Sequence, residues 1–358
     1  MAGALFDPLA KGDRVLVTGA AGFIGSAVTR CLVERGAEVV AVVQPGSDRA
    51  NLEGLEVKEY EADLRDASSV AAAAAGCRFV FHLAALYRFW ARDPHEFYEV
   101  NVAGTLNVLS AARREGCERT VYTSTVGTIG LESTGAGSAC ARPATESDWP
   151  KVEHLFGAYK RSKYIAEHEV LRAAAEGMPV VLVQPTLPLG PRDRAPTPTG
   201  RTVLDYLNGR LPGYFETALN VVDVDDVAAG HVLAAERGRQ GRSYVLGGEN
   251  LSFRRILDEL SAITGLPPVR LKVPPAVALG TAYVSELVEG RLARRSPSVP
   301  LEAARMATTK MVYDDSRARD ELGYASRTAR EALGRSARWF AENGYVAERR
   351  LRKISWAE

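Results

Sequence analysis

Residues 14 to 43 restrict the fold more than any other stretch. Arg14-Val15-Leu16-Val17-Thr18 is a short aliphatic and β-branched run, the pattern of a buried strand. It runs into Gly19-Ala20-Ala21-Gly22-Phe23-Ile24-Gly25. Residues 26 to 35 then place Ala27, Val28, Cys31 and Leu32 at helical spacing, and Gly36 follows as a stop. Glu38 to Val43 reads as a second strand. Strand, glycine turn, helix and strand make one βαβ unit, and the glycines stand where such a unit needs them. Gly19 permits the tight turn, Gly22 lets backbone approach a pyrophosphate, and Gly25 lets the helix pack close to the strand. The N–H groups at the helix start, around Phe23 and Ile24, offer hydrogen bonds and a partial positive charge to phosphates. The spacing is G-x-x-G-x-x-G, and its strand–turn–helix context predicts dinucleotide binding.

The rest of the first half repeats this alternation. The expected fold is therefore α/β, a doubly wound parallel sheet (Rossmann) with a smaller C-terminal α/β substrate domain. We expect the dinucleotide-binding domain over 11–187 with 217–249. The substrate-binding domain is expected over 188–216 with 250–345, and a solvated basic tail over 346–358. Pro and Gly cluster from Pro185 to Gly213, which marks the change of texture. The apolar stretch from Val273 to Val288 reads as a packed helix of the second domain, too short to span a bilayer.

An open α/β sheet binds its ligands at the C-terminal ends of its strands, so those ends supply the candidate cofactor residues. The second strand ends at Gln44 rather than at an acidic residue. A neutral side chain there removes the charge that would repel a 2′-phosphate, and Ser47 and Arg49 are placed to contact one. The alternative is that all three are ordinary loop residues. After the third strand, Asp63 and Leu64 are placed to meet the adenine. Leu83, Ala84 and Ala85 end the fourth strand with side chains small enough for backbone to approach a flat cofactor. Asn101 lies on the following helix. Thr123, Ser124 and Thr125 end the fifth strand, and Pro185 and Thr186 end the sixth. The loop 86–92 is aromatic and basic; Tyr87 and Arg88 are candidates for a substrate wall, or else the loop packs onto its own domain. Residues 130 to 150 form a Gly, Ser and Pro rich loop positioned to cover the site.

Tyr159 and Lys163 stand four residues apart, which on a helix puts them on one face, one turn apart. A free phenol has a pKa of about 10, and a nearby ammonium favours the phenolate. Such a Tyr could take a proton from an alcohol, or return one to a ketone, while hydride moves to or from a nicotinamide. Thr125 could share the substrate oxygen with it. Alone, the pair also fits a helix with a half-buried Tyr and a solvated Lys.

Composition narrows the partners. The net charge of +1 gives no support for nucleic-acid binding or strong membrane attraction. Cys31, Cys77, Cys117 and Cys140 are scattered, as are the five histidines, so neither a disulfide framework nor a metal site is expected. No apolar run reaches the roughly 18 residues of a transmembrane helix, and the start has no signal-peptide pattern. A cytoplasmic location is the expectation.

Seven stretches, GAAGFIG (19–25), ADL (62–64), HLAA (82–85), NVAGT (101–105), YTST (122–125), YKRSK (159–163) and QPTLPLGPRD (184–193), together resemble the extended short-chain dehydrogenase/reductase family of nucleotide-sugar epimerases and dehydratases. LYRFWARDP, PTPTGR, NVVDVDDVAAGH and YVLGGENLS resemble its hopanoid-associated sugar epimerase subgroup, itself similar to plant-type dihydroflavonol reductases. The resemblance implies Tyr159 as acid/base, Lys163 on the nicotinamide ribose, and Thr125 on the substrate oxygen. It implies NADP or NAD as cofactor, with Gly19, Gly22 and Gly25 on the pyrophosphate. A sugar-like or lipid-linked small molecule is the expected substrate, with Thr186, Arg192 and Arg201 among its contacts, and a homodimer is the expected assembly. Thr125-Val126-Gly127 lacks the Thr-Asp-Glu run of the family's dehydratases, so elimination of water is not expected. Three activities follow in order: an epimerase that lends and recovers its hydride, an NADPH-consuming carbonyl reductase, and a nicotinamide-binding redox sensor without turnover.

Overall fold

The computed structural model describes residues 8–357, other than 89, 132–141, 293–296, 298–300 and 308. Cys140, Phe89 and half of the 130–150 loop fall outside the described residues.

Among the described residues, ten strands form two sheets. They are β1 (Arg14–Thr18), β2 (Glu38–Val43), β3 (Val57–Glu61), β4 (Phe79–His82), β5 (Arg119–Thr123), β6 (Val180–Pro185), β7 (Leu187–Leu189), β8 (Ala218–Asp223), β9 (Ser243–Leu246) and β10 (Glu249–Ser252). The larger sheet has the order β3-β2-β1-β4-β5-β6-β9 with every pairing parallel. Its winding reverses between β1 and β4, and that reversal opens the crevice where a doubly wound sheet takes its ligand.

The strand sequences explain the layers. Alternate side chains point to opposite faces, and both faces are covered, so the strands are aliphatic throughout rather than alternating. Val15, Val17, Phe79, Phe81, Val181 and Val183 pack under the helices Phe23–Glu34 and Val224–Arg237. Leu16, Val80, Tyr122, Val180 and Leu182 pack on the other face, under the helices Ala67–Ala74, Gly104–Arg114 and Ala158–Ala175. Asn101 lies on a π-helical segment, Glu99–Ala103, that leads into the Gly104–Arg114 helix.

The second sheet, β10-β8-β7, pairs β8 antiparallel with β10 and parallel with β7. It covers the helices Pro198–Leu207, Phe253–Thr264 and Ala329–Glu342. Three expectations are corrected here. First, residues 218–223 were expected with the dinucleotide-binding domain, but β8 pairs with β7 and β10 in the second sheet. Second, 346–357 is no solvated tail. Val346 is buried, Ile354 and Trp356 pack on the C-terminal core, and Ser355 N and Ala357 N donate to Thr264 O and Ile263 O. Third, the apolar helix Pro275–Ser285 is largely exposed: Val277, Tyr283 and Val284 are each more than half accessible, and Ala282 is its fully buried residue.

Candidate active site

A cleft of about 2830 Å³ runs from the glycine turn across the strand ends to the second sheet. That is several times the roughly 300–1,000 Å³ typical of a small-ligand site, and suits a dinucleotide with a second molecule beside it.

The glycine turn is built for close approach. Gly19 has φ +70°, a left-handed conformation that L side chains avoid, and a Cβ there would come within 2.8 Å of Ala84 N and Cα. At Gly25 a Cβ would overlap Gly19 O and lie 2.8 Å from Gly19 C. Gly22 caps the Phe23–Glu34 helix with no side-chain hydrogen bond. The first N–H groups of that helix therefore have no capping side chain to satisfy them. Backbone N–H groups at a helix start, beside glycines that permit contact, fit the pyrophosphate of a nicotinamide dinucleotide.

The strand ends form the walls. Gly19, Gly22, Phe23, Ile24, Gly25, Gln44, Asp63, Leu64, Leu83, Ala84 and Ala85 all line the cleft. Leu83 N and Ala84 N donate to Thr18 Oγ1 at 3.2 Å, which fixes the wall against β1. Asp63 is held by Arg65, whose guanidinium lowers the carboxyl pKa. Thr123, Ser124, Thr125, Pro185 and Thr186 line the middle of the cleft, and Tyr87 and Arg88 the far side.

Four expected residues lie elsewhere. Arg49 does not line the cleft: its guanidinium bridges Glu59 and Glu61 on β3, which capture it before a phosphate could. Asn101 is buried behind the wall, accepting from Leu86 N at 2.7 Å and donating to Ser162 Oγ at 2.9 Å. It ties the wall loop to the Tyr159 helix instead of facing the cleft. Arg192, at φ +74°, is turned away into an ion pair with Asp225 at 2.8 Å. Arg201 is on the exposed side of the Pro198–Leu207 helix.

The Ala158–Ala175 helix presents Tyr159 and Lys163 to the cleft, both buried. Lys163 Nζ donates to Thr123 O at 2.8 Å and stands 4.4 Å from the centre of the Tyr122 ring. Burial pushes the ammonium down to about 7, and the Glu167 carboxylate works against that shift. The Tyr159 ring lies 4.9 Å from that of Tyr87. Burial raises the phenol, Tyr87 adds to the rise, and the Thr125 hydroxyl opposes it. The expected acidification by Lys163 does not figure among the causes of this shift, whose direction desolvation sets.

Two buried acids, one lining the cleft and one behind its wall, escaped the sequence reading. Glu302, on the Leu301–Ala307 helix, lines the cleft with 8% of its surface accessible. Its Oε1 has no hydrogen-bond partner among the described residues, and burial pushes the carboxyl up to about 7. No local pattern marks it. Glu167 lies one turn beyond Lys163 and is 2% accessible; its four-residue spacing from Lys163 was the available signal.

The fold and the cleft define a dinucleotide-binding protein with a Tyr–Lys pair at the ends of its parallel strands. The family model described as the NAD dependent epimerase/dehydratase family matches residues 15–247, and the chain belongs to that family, the extended short-chain dehydrogenases/reductases. A Synechocystis sp. protein named "Putative dihydroflavonol 4-reductase" is 43% identical over 94% of this chain and 97% of its own. Sterol demethylase protein B of Methylococcus capsulatus is 35% identical over 92% of this chain and 99% of its own. The crystal structure of gox2253 superposes with a TM-score of 0.82 at 42% identity, covering 94% of this chain and all of that one.

Proposed function

We propose that this protein is an NAD(P)-dependent oxidoreductase acting on a lipophilic carbonyl compound or the corresponding alcohol, with net reduction as its reaction. Gly19, Gly22 and Gly25 would hold the pyrophosphate, Asp63 and Leu64 the adenine, and Lys163 the nicotinamide ribose. The cofactor supplies the hydride. Tyr159 Oη gives its proton to the substrate oxygen, which Thr125 Oγ1 holds, and Leu155, Phe156 and Leu187 keep water from that side of the cleft. Tyr159, burial-raised, is protonated at neutral pH, which suits a proton donor to a nascent alkoxide.

The observation that carries this reading is the apolar lining of the cleft near Tyr159. Leu155, Phe156, Leu211, Val277 and Leu279 belong to it; Arg192 and Arg201 lie outside the cleft, while Arg88, Lys160, Arg194, Lys272 and Arg305 line it. An apolar substrate needs such apolar walls. The 2-alkyl-3-oxoalkanoate reductase of Stenotrophomonas maltophilia, 30% identical over 89% of this chain, supports the same reading. The epimerase reading keeps the support of the family description and of the Pseudomonas aeruginosa nucleoside-diphosphate-sugar epimerase PA4631, 25% identical with a TM-score of 0.73.

The test is a panel of sugars, nucleotide sugars and lipophilic ketones, followed by absorbance of the reduced cofactor and by mass spectrometry. Steady NADPH or NADH oxidation with a lipophilic ketone is the expected result. Interconversion of a sugar without cofactor consumption, with nucleotide released on denaturation, would establish the epimerase instead.

A further inference from the structure

Lys163 poses a problem that its own helix solves. It is 3% accessible, and its ammonium donates to Thr123 O. A buried ammonium loses its hydration and tends to lose its proton. The groups facing it are Tyr122 from β5, His82 from β4, and Tyr159 and Glu167 from its own helix. His82 is neutral, held down to about 3 by burial. Tyr122 and Tyr159 are both raised by burial. Glu167 is therefore the counter-charge among these groups.

Glu167 is itself held by donors from three elements. Ser124 Oγ, at the end of β5, donates to Glu167 Oε2. Thr128 Oγ1 lies 2.7 Å from the same oxygen, sharing its one proton between Glu167 and Thr125 O. Gln184 Nε2, from β6, lies 3.2 Å from Glu167 Oε1 and from Thr128 Oγ1. Burial raises the acid, and these donors oppose that rise without reversing it. Thr123 and Ser124 are consecutive, so Lys163 and Glu167 grip neighbouring positions of one strand end.

Resting on the reading of Lys163 as the cofactor-binding lysine, we infer that Glu167 is a positioning residue that keeps the Lys163 ammonium charged and fixed against the end of β5. It touches neither substrate nor cofactor, since it does not line the cleft. It acts through Lys163, and it secures Thr125 through Thr128. A purely structural carboxylate would give stability and nothing more. The network described here couples the charge state of the lysine to an acid behind the wall.

The experiment is a pH titration of the full chain carrying lysine labelled at the ε-carbon, followed by NMR. The chain has eight lysines, and Lys163→Arg assigns the relevant signal. Glu167→Gln should lower the Lys163 midpoint by about one pH unit or more, a tenfold change in its protonation equilibrium. Glu167→Asp, which keeps the charge, should restore most of it. Ser124→Ala, which removes one donor from Glu167, should shift the midpoint in the same direction by less. A Glu167→Gln protein that melts cooperatively with an unmoved Lys163 midpoint overturns the inference. If Glu167→Gln does not fold, an unmoved midpoint in Ser124→Ala does so. Fluorescence titration with NADPH tests the underlying reading separately: equal binding by wild type and Lys163→Ala would remove Lys163 from the cofactor site, whatever the titration gives.

Discussion

Gly25→Ala is a sharp test of the glycine turn. The added carbon would overlap Gly19 O and lie 2.8 Å from Gly19 C, where ordinary contacts begin at 3.4 Å. Both obstacles are backbone, so no side chain can swing aside. Gly19 cannot simply retreat: behind it Ala84 already stands close enough to forbid a Cβ, and Gly22 N donates to Gly19 O at 3.0 Å. The helix Phe23–Glu34 must therefore lift from β1 by about 1 Å in a region packed at crystal-like density. Overpacking of this kind costs about 1–3 kcal/mol, and the displaced atoms belong to the phosphate cradle. About 1.4 kcal/mol of that cost falling on the bound state weakens cofactor tenfold. Urea denaturation and NADPH fluorescence titration read the two effects. Gly280→Ala is the control: it lies inside the Pro275–Ser285 helix with nothing within 4 Å, and should stabilise by about 0.5–1 kcal/mol. If Gly25→Ala melts and binds NADPH like wild type, the close-approach argument is wrong.

Tyr159→Phe should lower turnover by about 10² to 10⁴ while leaving cofactor binding intact; retention of more than about a tenth of the activity would refute its acid/base role. Gln44→Asp should move the ratio of NAD to NADP affinity toward NAD by about tenfold, measured at one salt concentration. Glu302 supplies a pH prediction. Its folded pKa is raised from 4.5 to about 7, so its contribution to stability is complete below 4.5 and is lost as pH rises through 7. Glu302→Gln should therefore melt higher than wild type above pH 7, with the advantage disappearing toward pH 4.5; a pH-independent difference in calorimetry would exclude this titration.

How far the sequence speaks depends on how local each signal is. The doubly wound sheet was legible because β1, the turn and the following helix are contiguous, and because strands covered on both faces are recognisably aliphatic. Arg49 was misjudged because its partners sit across a register: Glu59 and Glu61 stand opposite Ala41 and Val43, which only the β2–β3 pairing reveals. β8 looked like any strand, and its partner β10, Glu-Asn-Leu-Ser, has no strand-like composition at all. Tyr159, Lys163 and Thr125 could be placed at one cleft because strand ends and helix spacing fix them. Glu302 could not, since it reaches the cleft from a helix remote in sequence, and burial with an unpartnered oxygen is a property of packing.

The course of the chain around β8 limits how this protein can be taken apart. β8 lies in the small sheet, yet the helix that follows at once, Val224–Arg237, returns to cover the large one. The joint is riveted: Asp223 receives Arg335 at 2.6 Å, and Asp226 receives Arg327, both from the C-terminal region. Exchange of substrate specificity between relatives by swapping a C-terminal module would have to cut on both sides of β8 and rebuild these pairs. Single substitutions along the cleft are the more accessible route to a new substrate, for a laboratory and for a lineage alike.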